Sequence, residues 1–460
     1  MSSATKPSAT KQITIIGCGL AGALLAVLLA KRNYQVSVFE KRPDMRKIDI
    51  SAGRSINLAL ANRGIAPLEA AGVMSEIKPI LTSMVGRMIH DDKGNQNLQK
   101  YGQTEQEVIY SVSRGDLNKI LMDKAEQSGH VKLIFDADIS KIDVNENKIF
   151  YSDSENSHEH EFQRIIGADG AGSITRKALQ QLYDDVESEF STEPLDHGYK
   201  ELTFPSQKGD YAIEPHALHI WPRGEFMLIA LPNEDKSFTV TLFLPQQGKT
   251  SFETLDSEEK VAQFFNTYFA DAKKLLPDLN RQFVENPTGK LATVRCNRWH
   301  WQDKILLIGD AAHAVVPFHG QGMNCAFEDC LELVKQLDSE DDNWTKIIPQ
   351  FASLRKHNAD AIADMALENY IEMRSSVRDK KYLLKKELAF KLEQQFPHHF
   401  IPRYSMVMFH HLPYSDAYKR GKIQQLILEQ LTQDQRDITT VDMKLAARLI
   451  LQKLTAIIEN

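Results

Sequence analysis

The chain has 460 residues, 42% hydrophobic and 25% charged, with a formal net charge of −7 at pH 7. That length can bury a large core in two or three domains, and the acidic balance argues against general affinity for nucleic acid or anionic lipid, leaving a small molecule as the expected partner. Cys18, Cys296, Cys325 and Cys330 are too few for a disulfide framework and fit no zinc spacing; a soluble protein of a reducing, cytoplasmic compartment with no metal is expected. No apolar stretch approaches the roughly 20 residues that span a bilayer.

Residues 1–10 are rich in serine and threonine, and a disordered tail is expected there. Ile13–Ile16 then reads as a strand, Leu20–Lys31 as a helix and Val36–Phe39 as a second strand closing on Glu40. The turn between strand and helix is Gly17-Cys18-Gly19-Leu20-Ala21-Gly22, and Glu40 follows Gly22 by 18 positions. Gly17 makes the tight turn, Gly19 lets a pyrophosphate approach the backbone, and Gly22 lets helix and strand pack closely, with Ala21 beside them. Glu40 is the expected ribose ligand, flanked by Phe39, Lys41 and Arg42 as further cofactor contacts. A buried glycine turn with a surface glutamate is the plainer reading, against which stands the register of strand, helix and acid. Cys18 occupies a variable position and reads as passive.

Gly53–Leu60 reads as a loop entering a helix. Met84–His90 and Tyr101-Gly102, separated by the polar run Asp91–Asn97, read as a hairpin. Taken by pattern alone, Arg87 is a surface arginine and Tyr101 a half-buried tyrosine; the other reading offers a guanidinium fork and a phenol to a carboxylate. Val112–Asp123 is expected to be a capped helix with Asp116 at its cap or in its first turn, and Arg114 a solvated charge at its start. Val131–Phe135 and the alternating segments to Tyr151 are expected to form a β-meander. Asp169, in Gly167-Ala168-Asp169-Gly170, is placed to hold the ribityl or pyrophosphate part of a nucleotide cofactor.

His216–Trp221, Glu225–Leu231 and Ser237–Leu244 alternate as an antiparallel sheet does. Leu218, Met227, Ile229 and Phe243 on these strands form either plain sheet core or an apolar wall that tolerates an aromatic ring. Ile305–Ile308 is a strand ending in Gly309-Asp310, and a helix resumes near Met323. This strand, loop and helix place an acid at a strand's carboxyl end. They also present unpaired N–H groups at Gly320, Gly322, Met323 and Asn324 to an anion or an electron-rich ring. Phe318 and His319 lie between that loop and the apolar wall; His319 is either a proton shuttle or a polar wall residue. Beyond about residue 360 the pattern is helical: Met365–Met373, Lys380–Gln395, Lys422–Leu431 and Asp442–Ile458 are amphipathic.

The Gly17–Gly22, Gly167–Gly170 and Gly309-Asp310 motifs, in this order, resemble the FAD-binding core of the flavoprotein aromatic hydroxylases over most of the first 330 residues. GRSINLALANRG, HGYKEL, ALHIWP, ALPN and SFTVTLF are similar to segments of the kynurenine-hydroxylating members. The resemblance implies an α/β fold. Its FAD-binding Rossmann-like domain is discontinuous (11–75, 104–180 and 288–360), its substrate domain is an antiparallel sheet (76–103 and 181–287), and a helical region (361–460) follows. It further implies that Ala59 and Arg114 contact FAD and that Asp310 meets the ribityl chain. Arg87 and Tyr101 would recruit an amino-acid carboxylate, and Asn369, Met373 and Tyr404 (in FIPRYSMV) would close over the substrate.

The implied chemistry uses non-covalent FAD, reduced by NADPH. Molecular oxygen then forms a flavin C4a-hydroperoxide that converts L-kynurenine to 3-hydroxy-L-kynurenine. A single dinucleotide fingerprint fits transient NADPH binding. Membrane-bound members carry a C-terminal anchor, whereas here Lys444, Arg448 and Lys453 interrupt the last apolar segment. Another flavin-dependent hydroxylase, epoxidase or dehydrogenase, or a non-catalytic flavin-binding protein, would share the three motifs. A dehydrogenase or epoxidase would not need Arg87, Tyr101, Asn369 and Tyr404 together, and a non-catalytic protein would show no substrate-dependent NADPH consumption.

Overall fold

The computed structural model describes residues 11–48, 57–183, 189–375 and 379–457; the expected tail and the first part of the 53–60 segment lie outside them. A six-stranded sheet runs in the order His300–Trp301, Ile305–Leu307, Ile165–Gly167, Gln12–Ile16, Gln35–Phe39, Val131–Ile134. All neighbours are parallel except the edge pair at His300–Trp301. Its strands are short apolar runs because both faces are covered: Ile13, Ile15, Val36, Val38, Ile165 and Ile305 are all buried. Leu20–Ala30 is apolar on nearly every side and is buried to match, between the sheet and the helices Arg114–Gln127 and Gly322–Ser339.

Three local expectations are corrected. Val131–Ile134 belongs to this parallel sheet beside Gln35–Phe39, and the meander is Asp138–Asp143, Lys148–Ser152 and Ser157–Glu161. Asn57–Leu60 is a strand rather than a loop, paired antiparallel with Ile109–Ser113. Val112 therefore lies in that strand, and the helix begins at Arg114 with Ser113 as its cap, the Ser113 hydroxyl accepting from the Asp116 amide. Asp116 sits in the first turn, where its charge suits the helix dipole.

The second sheet has seven strands in the order Thr288–Cys296, Phe190–Phe204, Phe238–Pro245, Met227–Pro232, Ala217–Pro222, Gly86–His90, Gln96–Lys100. The chain stays in it through Cys296, beyond the return at residue 288 expected from sequence. Strand alternation divides its side chains cleanly. Leu228, Ala230, Leu242 and Trp221 pack with Phe264, Phe265 and Phe269 on one face, while Met227, Ile220 and Phe243 pack with Phe318, Tyr370 and Met373 on the other. The 31-residue helix Trp344–Arg374 spans both regions: Ile347 and Phe351 enter the first core, and Ala366 and Tyr370 the second. Lys380–Gln395, Arg403–Met408, Tyr414–Thr432 and Met443–Lys453 complete the helical end. Among the described residues, no helix is long and apolar enough to cross a membrane.

Candidate active site

The three glycine motifs converge because their strands are neighbours. Gln12–Ile16, Ile165–Gly167 and Ile305–Leu307 lie side by side and parallel, so the turns after them open at one sheet edge. The Ala168 amide donates to the Ile16 carbonyl at 2.8 Å and the Ile308 amide to the Gly167 carbonyl at 2.9 Å, stitching the turns together. Gly17 has φ +99°, and a Cβ on Gly22 would lie 2.0 Å from the Gly17 carbonyl oxygen, so both positions require glycine. At Gly19 and Gly170 a Cβ would meet nothing within 4 Å among the described residues; there the backbone borders a cavity.

The cavity has a volume of about 490 Å³. Gly19, Ala21, Ala59, Arg114, Asp310, Gly320, Gly322 and Met323 form one side. Two helices begin on it, Leu20–Ala30 after Gly19 and Gly322–Ser339 after Gln321, and neither start has a side-chain cap. Their free N–H groups suit the pyrophosphate and the electron-accepting edge of a flavin, so the residues present fit FAD. Leu218, Met227, Ile229, Phe243, Phe318, His319, Met373, Tyr404, Arg87 and Tyr101 form the other side, and Tyr199, Thr239, Thr241, Lys290 and Met408 join them without a sequence signal.

Several expected cofactor residues support the cavity from behind. Glu40 is buried, and its carboxylate accepts from the Cys18 amide at 2.9 Å, the Arg42 amide at 3.0 Å and Arg42 Nε at 2.8 Å. Burial opposes its charge, but the Arg42 guanidinium and these amides hold the carboxyl below its ordinary value. Asp169 turns away from the cavity: Oδ1 accepts from the Ser173 hydroxyl at 2.6 Å and Oδ2 from the Thr175 amide at 3.0 Å, holding the start of helix Ile174–Gln180. Asn324 is buried and clamps the 59–61 backbone, donating to the Ala59 carbonyl at 2.8 Å and accepting from the Ala61 amide at 3.0 Å. Phe39 packs edge-on against Tyr151, and Lys41 is an exposed partner of Asp138. Burial pushes the Cys18 thiol up to about 12, in keeping with a passive residue.

At the far end the charges gather. Arg87 is buried; Nη1 donates to Glu372 at 3.0 Å, Nη2 reaches Asn369 at 3.4 Å, and the guanidinium stands 4.9 Å from the Tyr404 ring centroid. Tyr404 stacks between Tyr101 at 5.3 Å and His319 at 5.6 Å. Arg87 Nε, the Tyr101 hydroxyl, His319 Nδ1 and the Ser405 hydroxyl are buried without a hydrogen-bond partner among the described residues. A smaller cavity of about 140 Å³ shares Arg87, Tyr101, His319 and Tyr404 with the larger one and adds Asn369, Glu372, Tyr382, Lys386 and Arg403.

Asn369 donates to the Phe318 carbonyl at 2.6 Å, and Phe318 stacks on Tyr370 at 3.8 Å, fixing the ring at the apolar wall. Burial, then the Arg403 charge, pushes His319 down to about 3, so its imidazole is neutral near pH 7. Glu372 was missed, although it lies three positions after Asn369 on one helix and hence on the same face. Burial opposes its charge, which Arg87 and the Tyr382 hydroxyl, donating at 2.7 Å, maintain.

A family model described as an FAD binding domain matches residues 10–345. Kynurenine 3-monooxygenase of Myxococcus xanthus (strain DK1622) is 45% identical over 446 residues, 96% of this chain and 95% of the relative. The enzyme of that name from Stenotrophomonas maltophilia (strain K279a) is 44% identical over 440 residues, covering 94% and 95%. Among solved structures, tetrameric 2-methyl-3-hydroxypyridine-5-carboxylic acid oxygenase superposes with a TM-score of 0.65 at 18% identity, covering 80% of this chain and 94% of that one. Pseudomonas aeruginosa PqsL with 2-aminobenzoylacetate gives 0.65 at 19%, covering 80% and 97%. These two structures share the fold.

Proposed function

The chain belongs to the kynurenine 3-monooxygenase family of FAD-binding proteins, and from that premise we propose that it hydroxylates L-kynurenine to 3-hydroxy-L-kynurenine. The reaction consumes NADPH, a proton and O2 and yields NADP+ and water. FAD held by Gly19, Arg114, Asp310 and the turn before Gly322 would supply the redox and oxygen-transfer chemistry that no side chain has.

The chain's own residues bind, orient and exclude water. The free N–H groups at the start of Gly322–Ser339 would stabilise negative charge on a bound flavin. Asp310 would hold its ribityl chain. Leu218, Met227, Ile229, Phe243 and Phe318 offer the apolar wall that takes the aromatic ring. His319, neutral and stacked on Tyr404, serves as a polar wall beside that ring.

The observation that carries the substrate reading is Arg87: a buried guanidinium whose Nε has no partner among the described residues, next to a buried Tyr101 hydroxyl that has none there either. A zwitterionic amino acid would meet that need through its carboxylate, and Glu372, which lines the smaller adjoining cavity, would accept from its ammonium. A cytoplasmic setting is the reading that the cysteine usage supports. Titrating the FAD-loaded protein tests the assignment. L-Kynurenine should perturb the flavin spectrum saturably, and kynuramine, the same molecule without its carboxylate, should bind far more weakly. Equal affinity for the two would remove the carboxylate site.

A further inference from the structure

The turn that carries Asp310 is held from behind by a charge that does not reach the cavity. Asp329, on helix Gly322–Ser339, is fully buried. Its Oδ2 accepts from the Gly309 amide at 3.0 Å and from His313 Nε2 at 2.6 Å, and its Oδ1 accepts from Arg355 Nε at 2.7 Å. Gly309 has φ +56°, and a Cβ there would sit 3.1 Å from that of Ala326, so the turn is pressed directly onto the helix that carries Asp329. Asp310, the next residue, is exposed on the cavity wall. Arg355 also donates to Glu328 at 2.7 Å, Arg63 donates to the same carboxylate at 2.9 Å, and Arg63 Nε reaches the Val407 carbonyl at 2.8 Å. The anchor is therefore braced by charge on its far side.

Burying this many charges is costly, and an apolar residue of similar volume would pack the helix without that cost. An apolar residue could not satisfy the amide of a left-handed turn and the imidazole of its short helix together. Nor do His313, Cys325 and Asp329, which lie within 4.8 Å of one another, read as a cation site, because Arg355 already holds the carboxylate.

We propose that Asp329 is a positioning residue for FAD: through the Gly309 N–H and His313 it fixes the turn, so that the Asp310 carboxylate stands where the ribityl chain lies. This rests on FAD occupying the cavity described above.

The test is a double-mutant cycle on FAD affinity, read from flavin fluorescence quenching as FAD is added to protein stripped of it. Wild type, Asp310→Ala, Asp329→Asn and the double variant are compared. An asparagine cannot accept from all three donors, so Asp329→Asn should weaken FAD binding about tenfold. The double variant should be no more than about twofold weaker than Asp310→Ala alone, because Asp329 acts through Asp310. Asp329→Asn within twofold of wild type, or effects that multiply in the double variant, would overturn the proposal. If Asp329→Asn does not fold, His313→Phe replaces it. Phenylalanine keeps a ring against Trp299, where His313 now stacks at 5.1 Å, and deletes the donor. The same non-additive loss is expected, and additivity or no loss would be decisive against the proposal. Wild-type protein that fails to bind FAD at all would be a different result, since it removes the cofactor rather than the role of Asp329.

Discussion

Arg87 gives Nη1 to Glu372 at 3.0 Å, while its Nε is buried with no partner among the described residues. The first contact holds the guanidinium against the Tyr404 ring, and the second edge, Nε with the long 3.4 Å contact at Nη2, is the one that the proposed function assigns to a carboxylate. On the proposed assignment, Glu372 orients the cation that would meet the substrate. The pair also keeps a buried charge compensated before substrate arrives.

Arg87→Lys retains a charge but loses the fork. A raised KM is expected, with a larger share of NADPH oxidised without hydroxylation, because the ring is no longer held at a fixed distance from the flavin. Arg87→Ala should lose about 2–5 kcal/mol of substrate binding, part of it because Glu372 loses its cation and keeps only the Tyr382 hydroxyl. FAD content should be unchanged in both. Kynurenine affinity within twofold of wild type in Arg87→Ala, with flavin intact, would rule out the assignment.

Glu40 does more than the ribose contact expected of it. A ribose contact alone, replaceable by water, would matter less than Asp310. Buried, and accepting from the Cys18 amide inside the glycine turn, Glu40 holds the shape of that turn. Glu40→Ala should therefore weaken FAD retention as much as Asp310→Ala, each by about 1–3 kcal/mol, measured as the flavin left after dialysis. A mild effect at Glu40 beside a strong one at Asp310 would contradict the turn-holding role.

Gly22→Ala puts a methyl 2.0 Å from the Gly17 carbonyl oxygen. Backbone cannot give way as a flexible side chain can, so the variant should lose stability by about 1–3 kcal/mol or more and release flavin. Thermal unfolding followed by flavin fluorescence reads both at once. A wild-type midpoint would show that the close approach is not required.

The cofactor half of this architecture was legible because its signals are local. Glycines at fixed offsets, short apolar runs and an acid at a strand end mark the turns at Gly17, Gly167 and Gly309, and these turns converge because their strands are adjacent. What failed depends on distant chain. Arg87 reads by pattern as a surface arginine, yet it is buried, with a carboxylate partner, Glu372, 285 residues away in sequence. Asp169 and Glu40 were recognised as important acids, but sequence does not say that Ser173, Thr175, Cys18 and Arg42 claim their oxygens. Val131–Ile134 alternates like a meander strand, and its parallel pairing with Gln35–Phe39 is decided by the sheet edge it covers.

Burial pushes His319 down to about 3 and His219 to about 4. In the unfolded chain both return to about 6.5. Below that value the unfolded chain takes up protons that the folded chain refuses, so stability is complete above about pH 6.5 and falls as pH falls toward the folded values. By pH 5 each histidine should cost about 2 kcal/mol. Asp329, held at about 2 despite its burial by His313 and Arg355, adds its loss only at lower pH. Urea unfolding at pH 7 and pH 5 should show the loss, and His319→Phe should shrink the difference between the two pH values by about 2 kcal/mol. An unchanged difference would place His319 in contact with solvent.

The most direct test is NADPH oxidation by the FAD-loaded protein with and without L-kynurenine, with the product identified by mass. The structure predicts slow oxidation alone, a marked acceleration by L-kynurenine, and a product heavier by one oxygen atom that matches 3-hydroxykynurenine. Oxidation indifferent to L-kynurenine, or acceleration with the amino acid recovered unchanged, would contradict a kynurenine hydroxylase.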